Sequence, residues 1–247
     1  MTLKDQVCII SGGGSGIGRA TAIRMAEDGG KIVLLGRTKS KLQIVQAEIE
    51  RAGGKVTTHT LDITDLEATQ AIVKDVVREF ERIDVLVNCA GDISRHRTLL
   101  ETTVEDIDLT IDSNVKGTII VTQAVVPQML ATRSGTIINV SSVVGVTPSL
   151  ISGVAYSAAK AAVINFTHYL NREFVNTGIR ACVVLPGEVD TPFLDKRPNP
   201  PANDAREMMI AAEDVAEAIA LMAGLPQRAM IPELVIRPTL QLRRVPA

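Results

Sequence analysis

Apolar residues in this chain come in short solid runs separated by longer stretches of helical period. The runs are VCII (7–10), KIVLLG (31–36), VTTHTL (56–61), IDVLVN (83–88), GTIINVSS (135–142), RACVVLP (180–186) and ELVIRP (233–238). Most are rich in β-branched residues and apolar nearly throughout, as strands are when helices cover both faces of a parallel sheet. Amphipathic helices are predicted between them at 17–28, 40–52, 66–81, 104–131, 155–170 and 214–223. Strand and helix alternate along the whole length. This predicts an α/β protein of one domain over residues 1–247, with a doubly wound parallel sheet of about seven strands and helices on both faces. One stretch breaks the rhythm. TPFLDKRPNPPANDAREMM (191–209) holds Pro192, Pro198, Pro200 and Pro201 and follows the sixth predicted strand. A long insertion of this kind in a compact domain reads as a lid or binding loop, at about 191–212.

Composition narrows the function classes. Of 247 residues 46% are hydrophobic but only 2% aromatic, with no Trp, so the core must be aliphatic. Lys plus Arg number 26 against 28 Asp plus Glu, a net charge of −2. That balance lacks the basic excess of a nucleic-acid binder. No run approaches the roughly 18 apolar residues of a membrane span. The chain enters a strand-like run without a signal-peptide core, and a cytoplasmic location is expected. Cys8, Cys89 and Cys182 are scattered through strand-like runs, with neither disulfide nor zinc spacing, so they read as small buried hydrophobes and no metal is expected.

The first strand runs into SGGGSGIGRA (11–20), which opens a helix. Glycines there let backbone N–H groups approach a phosphate, and the helix N-terminus adds donors and a favourable dipole. A nucleotide triphosphate loop is excluded. Gly13 and Gly18 have its spacing, but Arg19 and Ala20 stand where Lys and Ser or Thr are needed. What remains is G-x-x-x-G-x-G at Gly12, Gly16 and Gly18, between a strand and a helix. This points to a dinucleotide on a Rossmann fold. An Asp or Glu at the end of the second strand would hold the ribose diol of NAD. Here the residues are Gly36, Arg37, Thr38 and Lys39. Arg37 is suited to a 2′-phosphate, so the reading is NADP(H) in preference to NAD(H).

YSAAK (156–160) lies in a predicted helix, and its spacing puts Tyr156 and Lys160 on one face. A nearby ammonium favours the phenolate and would bring a tyrosine towards working pH, as a general acid/base for alcohol–ketone interconversion requires.

These motifs, in this order, resemble the short-chain dehydrogenase/reductase family over essentially the whole chain: SGGGSGIG (11–18), LDITD (61–65), NCAG (88–91), SNVKG (113–117), NVSS (139–142), YSAAK (156–160) and PGEVDTP (186–192). The resemblance implies roles residue by residue. Tyr156 would give its proton to the substrate carbonyl during reduction. Lys160 would lower the pKa of Tyr156 and bind the nicotinamide ribose. Ser142, in preference to Ser141, would hold the substrate oxygen, and Asn114 would steady a proton relay through Lys160. Ser15, Ile17 and the three glycines would line the phosphates. Asp62 would meet the adenine amino group, with Ile63 beside it. Asn88, Ala90 and Gly91 would line the adenosine ribose side and stabilise the central sheet. Pro186, Gly187, Val189 and Thr191 would embrace the nicotinamide. Ser11, Cys89 and Cys182 depart from the commonest family pattern without removing a catalytic group. The ending LPQRAMIPELVIRPT (225–239) lacks the TG…DGG pattern of many 3-oxoacyl carrier-protein reductases. With GEVDTPFLDKRP (187–198) it is more similar to the branch that includes NADP-dependent 3-hydroxy acid dehydrogenases.

In this family substrate contacts come from the loops at 92–98, 143–154 and 193–209. The first, DISRHRT, is basic: it reads either as a holder of a carboxylate or phosphate or as a solvated turn. His96 reads as a surface residue, and His59 and His168 as structural. Val143, Val144, Val146, Leu150 and Ile151 would make one wall apolar. The expected partner is a small carbonyl or alcohol substrate, with neither nucleic acid nor membrane. The resemblance implies a homodimer or homotetramer formed through helices 104–131 and 155–170. The alternative reading is a non-catalytic dinucleotide-binding redox sensor. It would not need Ser142, Tyr156 and Lys160 together.

Overall fold

A computed structural model describes residues 2–239. Seven strands form one parallel sheet: β1 (Val7–Ser11), β2 (Lys31–Gly36), β3 (Lys55–Thr60), β4 (Val85–Asn88), β5 (Gly135–Val140), β6 (Ile179–Pro186) and, last in chain order, Glu233–Ile236. A separate two-stranded parallel ribbon, β7 (Val189–Asp190) with β8 (Ile210–Ala211), makes that last strand β9. The sheet order is β3-β2-β1-β4-β5-β6-β9. Winding proceeds outward from β1 in one direction and from β4 in the other. A crevice therefore opens where the two halves diverge, at the carboxyl ends of β1 and β4. Ser11 and Asn88 lie level there, paired in register.

Eight α-helices stand among the described residues: α1 (Gly16–Glu27), α2 (Lys39–Arg51), α3 (Leu66–Phe80), α4 (Val104–Ile111), α5 (Gly117–Thr132), α6 (Val154–Glu173), α7 (Asn203–Arg206) and α8 (Ala212–Gly224). Alternate residues of each strand feed opposite layers. Cys8 and Ile10 of β1 pack with α1, α2 and α8; Val7 and Ile9 pack with α3 and α5. That two-sided burial explains the unbroken apolar runs. β3 is the exception: as an edge strand it is mostly half-exposed, and it reads VTTHT instead of an aliphatic run. Cys8 and Cys182 are fully buried in β1 and β6.

The expected fold and its single sheet are borne out, with three local differences. The helix predicted over 104–131 is broken by a π-helical turn at Asp112–Lys116, which separates α4 from α5. β5 ends at Val140, so Ser141 and Ser142 lie beyond the strand. The insertion at 191–209 has its own order: a 3₁₀ turn at Pro192–Lys196, then α7. The β7–β8 ribbon ties its two ends together. Arg206 fastens it from within by ion pairs to Asp190 and Asp195.

A buried cation holds the far end of the sheet to α8. Arg180 on β6 is 5% exposed and pairs with no carboxylate among the described residues. Its guanidinium donates to Thr136 Oγ1 and to the carbonyls of Met222, Ala223, Leu225, Pro226 and Ala229. These include the last carbonyls of α8, which lack helical partners and carry the negative end of its dipole. Burial draws the pKa of Arg180 down, yet a guanidinium stays protonated. Arg180→Met is expected to cost about 3 kcal/mol, because it orphans several buried carbonyls at once. The shift of the urea unfolding midpoint measures this, and a wild-type midpoint would refute the capping role.

Candidate active site

The crevice at the strand ends is a cleft of about 980 Å³. One end is built on the turn between β1 and α1. Gly12 has φ +69°, and a Cβ there would come within 2.8 Å of the Ala90 backbone, so the turn after β1 and the one after β4 meet without a side chain between them. Gly12, Ser15, Gly16, Ile17 and Gly18 all line the cleft. The first-turn N–H groups of α1 have no helical acceptor and are available to an anion.

The next stretch is walled by Gly36, Arg37, Thr38 and Lys41 from the β2–α2 turn and by Asp62 and Ile63 after β3. Asp62 accepts hydrogen bonds from the Thr64 N–H and hydroxyl, at 3.0 and 2.7 Å. These bonds hold its carboxyl below the usual range, with help from the charges of Arg37 and Lys116. Arg37 is half-exposed, and its guanidinium lies 3.0 Å from Asp92. Asp92 also binds Lys196 of the insertion, at 2.6 Å. Burial opposes ionisation of Asp92, but the bonds from Lys196, the Ile93 N–H and Arg37 outweigh it. One carboxylate thus spans from the β2 side of the cleft to the insertion at 191–209. Asp92, Lys196 and Lys41 were not singled out by the sequence, because a lone charge in a loop carries no spacing signal.

Ala90 and Gly91 line the cleft, but Asn88 lies one layer behind it. Its amide donates to Asn139 Oδ1 and Thr122 Oγ1, and Asn139 in turn donates to Thr167. Asn88 therefore ties β4 to β5 and α5, in keeping with the expected support of the central sheet. On the opposite wall stand Pro186, Gly187, Val189 and Thr191, where β6 passes into the insertion.

Ser142, Tyr156, Lys160 and Asn114 converge in the same cleft. Tyr156 and Lys160 lie in the first two turns of α6, on the face turned to the sheet. Lys160 is 5% exposed, and its Nζ donates to the Val140 carbonyl at the end of β5, at 3.0 Å. Burial pulls its pKa down to about 8. Ser141 spends its hydroxyl on the Lys160 carbonyl, at 2.8 Å, and so joins β5 to α6. Ser142 is the cleft-lining hydroxyl with weaker ties, at 3.3 Å to the Pro186 carbonyl and 3.4 Å to the Val144 N–H.

Lys160 Nζ sits 5.4 Å from the centre of the Tyr156 ring. Burial pushes the phenol up, and the charges that pull it back are those of Arg197 and Arg97. Phe193 of the insertion packs on the same ring, with centroids 5.7 Å apart. Both arginines and Phe193 belong to the loops at 92–98 and 193–209 that the family resemblance marks as substrate contacts, Arg97 lying in the basic DISRHRT stretch.

Asn114 sits in the π-helical turn. Its Nδ2 donates to the carbonyls of Asp92 and Thr110, at 2.7 and 2.8 Å. Its buried Oδ1 has no partner among the described residues and points towards Gly91, on the Lys160 side of the cleft. The extra residue in the helical turn aims the side chain inward.

The residues present fit a dinucleotide: a glycine turn at a helix N-terminus, two cations beyond β2, and orphaned polar atoms at the far end. Among the described residues, no group of three or more His, Cys, Asp or Glu is placed to hold a metal, and no helix is long and apolar enough to cross a membrane.

Comparison with known proteins agrees. The family model for short chain dehydrogenases matches residues 6–201. The 3-oxoacyl-[acyl-carrier-protein] reductase of Thermotoga maritima is 38% identical over 235 residues, covering 91% of this chain and 92% of the relative. A serine dehydrogenase solved in a closed form with NADP+ superposes with a TM-score of 0.88 at 28% identity, covering 98% and 99% of the two chains. A xylitol dehydrogenase bound to NAD+ gives a TM-score of 0.89 at 25% identity, covering 96% and 100%. The chain belongs to the short-chain dehydrogenase/reductase family and is an NAD(P)-dependent oxidoreductase.

Proposed function

We propose that this protein interconverts a secondary alcohol and a ketone with NADP(H), using Tyr156 as the general acid/base. The observation that carries the reading is the meeting of Ser142, Tyr156 and Lys160 at the end of the dinucleotide cleft. The bound nicotinamide supplies or accepts the hydride. Tyr156 gives its proton to the carbonyl oxygen during reduction and takes it back during oxidation. Ser142 donates to that oxygen and orients it. Lys160, anchored on Val140, binds the ribose side and passes protons towards Asn114, whose unpartnered Oδ1 is suited to accept from an intervening water. Phe193 covers the ring of Tyr156 and keeps bulk water from it, which gives the 191–212 segment its role as a lid. Large apolar residues exposed on α4 (Val104, Ile107, Leu109) and α6 (Tyr169) suit a homodimer or homotetramer.

Arg37 supports NADP(H) over NAD(H), with Asp92 as the carboxylate that holds it ready beside the cleft. Fluorescence titration should give tighter binding of NADPH than of NADH. Arg37→Ala should weaken NADPH by about 10- to 100-fold, the worth of a charge-assisted contact, and leave NADH nearly unchanged. Equal or tighter NADH binding by the wild type would refute the preference.

Tyr156→Phe keeps the ring packing on Phe193 and removes the proton. It should lower kcat by about 10²- to 10⁴-fold with coenzyme affinity intact. An active Phe variant would remove Tyr156 from the chemistry.

The buried Lys160 is a stability cost kept for function. Its folded pKa, about 8, lies below the ordinary lysine value. The cost is therefore complete below pH 8, and it fades as pH rises through the window up to the unfolded value, where only the unfolded chain still holds the proton. Lys160→Met should abolish turnover yet stabilise the fold at pH 7 by on the order of 2 kcal/mol, after allowing for the lost bond to Val140. Thermal unfolding at pH 7 and at pH 10 checks this. The gain should shrink at the higher pH, and a Met variant less stable than wild type at pH 7 would refute it.

A further inference from the structure

Asp92 carries two cations from different walls of the cleft. Arg37, from the turn after β2, donates through Nη2 to Asp92 Oδ2 at 3.0 Å. Lys196, from the insertion after β6, donates through Nζ to Asp92 Oδ1 at 2.6 Å. Both cations line the cleft and are about half-exposed, whereas the Asp92 side chain is only 10% exposed. The carboxylate is held in place: its Oδ1 also accepts from the Ile93 N–H at 2.9 Å, and the Asp92 carbonyl accepts from Asn114 Nδ2 at 2.7 Å. Among the described residues neither Arg37 nor Lys196 has another acidic partner. Lys196 closes the turn Pro192–Lys196, in which Leu194 is buried and Phe193 packs on the ring of Tyr156. Its attachment to Asp92 therefore fixes the turn that covers Tyr156.

One shared carboxylate makes the two attachments interdependent. A phosphate that engages Arg37 draws positive charge away from Asp92 and brings negative charge close to it. Both changes make the surroundings of Lys196 more negative, so both strengthen its hold on Asp92. A ribose with a free 2′-hydroxyl does neither.

We infer that Asp92 is a positioning residue that couples the 2′-phosphate of the coenzyme to the insertion: a phosphate on Arg37 tightens the bond between Asp92 and Lys196 and so secures Phe193 on Tyr156. The inference rests on the reading of Arg37 as the holder of the 2′-phosphate. It gives NADP(H) a second advantage over NAD(H), in ordering the segment above Tyr156 as well as in affinity. Coupling between two sites is reciprocal in free energy, so Lys196 in turn favours the phosphorylated coenzyme without touching it.

Hydrogen–deuterium exchange of residues 191–212 at saturating NADPH and at saturating NADH tests this with differences in affinity removed. In wild type the segment should exchange about 5-fold more slowly with NADPH. Asp92→Asn keeps the shape and removes the charge; it should abolish the difference, and so should Lys196→Met. Equal exchange with the two coenzymes in wild type, or a difference that survives in Asp92→Asn, would overturn the coupling. Adenosine 2′,5′-bisphosphate compared with adenosine 5′-monophosphate repeats the measurement without a nicotinamide, and so decides the coupling even for a protein that reduces no carbonyl compound. Fluorescence titration reads the reciprocal effect. Lys196→Met should lower the ratio of NADPH to NADH affinity about 5-fold in the wild-type background and leave it unchanged in the Asp92→Asn background. A loss that persists in the Asn background means that Lys196 binds the phosphate directly, and refutes the coupling. Tighter wild-type binding of NADH would sink the NADP(H) preference, while exchange at saturation still decides the coupling: slower exchange with NADPH that is lost in Asp92→Asn supports it, and equal exchange refutes it. Failure of both phosphate-bearing ligands to bind would refute the preference and the coupling together.

Discussion

The junction between β5 and α6 fixes everything else in the catalytic end of this molecule. A lysine ammonium is buried there, held by the Val140 carbonyl at the point where the strand stops. The Ser141 hydroxyl closes the same junction from the other side by donating to the Lys160 carbonyl. With helix and strand locked in register, Tyr156 one helical turn earlier and Ser142 two residues beyond the strand have little freedom in where they point. Burial makes the Lys160 amine a weaker base than an ordinary lysine, and among the described residues no carboxylate pairs with its ammonium. An arrangement that costs stability in this way, in an interior otherwise filled by aliphatic side chains, marks a site kept for chemistry.

The second constraint is topological. All seven strands of the main sheet run the same way, so their carboxyl ends gather at one edge of the molecule. The order reverses between β1 and β4, and the glycine turn after β1 meets the NCAG turn after β4 at backbone contact distance. The dinucleotide cleft and the Tyr–Lys pair are thus two consequences of one sheet, the first at its switch point and the second where β5 ends. The short β7–β8 ribbon matters for the same reason. It pins both ends of a Pro-rich insertion next to β6, so that Phe193, Lys196 and Arg197 are presented over the cleft.

Charge around the cleft is organised in two groups. Asp92 holds Arg37 and Lys196, and joins the coenzyme side to the insertion. Arg197 lines the cleft beyond them and pairs with Glu188. The two groups are linked through the 3₁₀ turn that carries Lys196 at its end and Arg197 immediately after. A movement of that turn changes the surroundings of both sites together.

The sequence by itself determined the sheet, the helices and the motif residues. Each rests on a local rule: solid apolar runs for strands buried on both faces, helical period between them, glycines where backbone must approach backbone, and a four-residue spacing that aligns Tyr156 with Lys160. Tertiary structure decided the rest. The helix read as continuous over 104–131 is broken at Asp112–Lys116, because an inserted residue leaves the apolar period on either side nearly unchanged. Asn88 turned inward because its partners, Asn139 and Thr122, come from distant parts of the chain. Arg97 and Arg197 add charges that favour ionisation of the buried Tyr156 phenol. Those arginines stand 59 and 41 positions from Tyr156 in the numbering and reach it by way of loops, which leave no periodic mark in a sequence. Periodicity records which face of an element is buried; it does not record which loops meet above that face, and in this protein that meeting sets the environment of Tyr156.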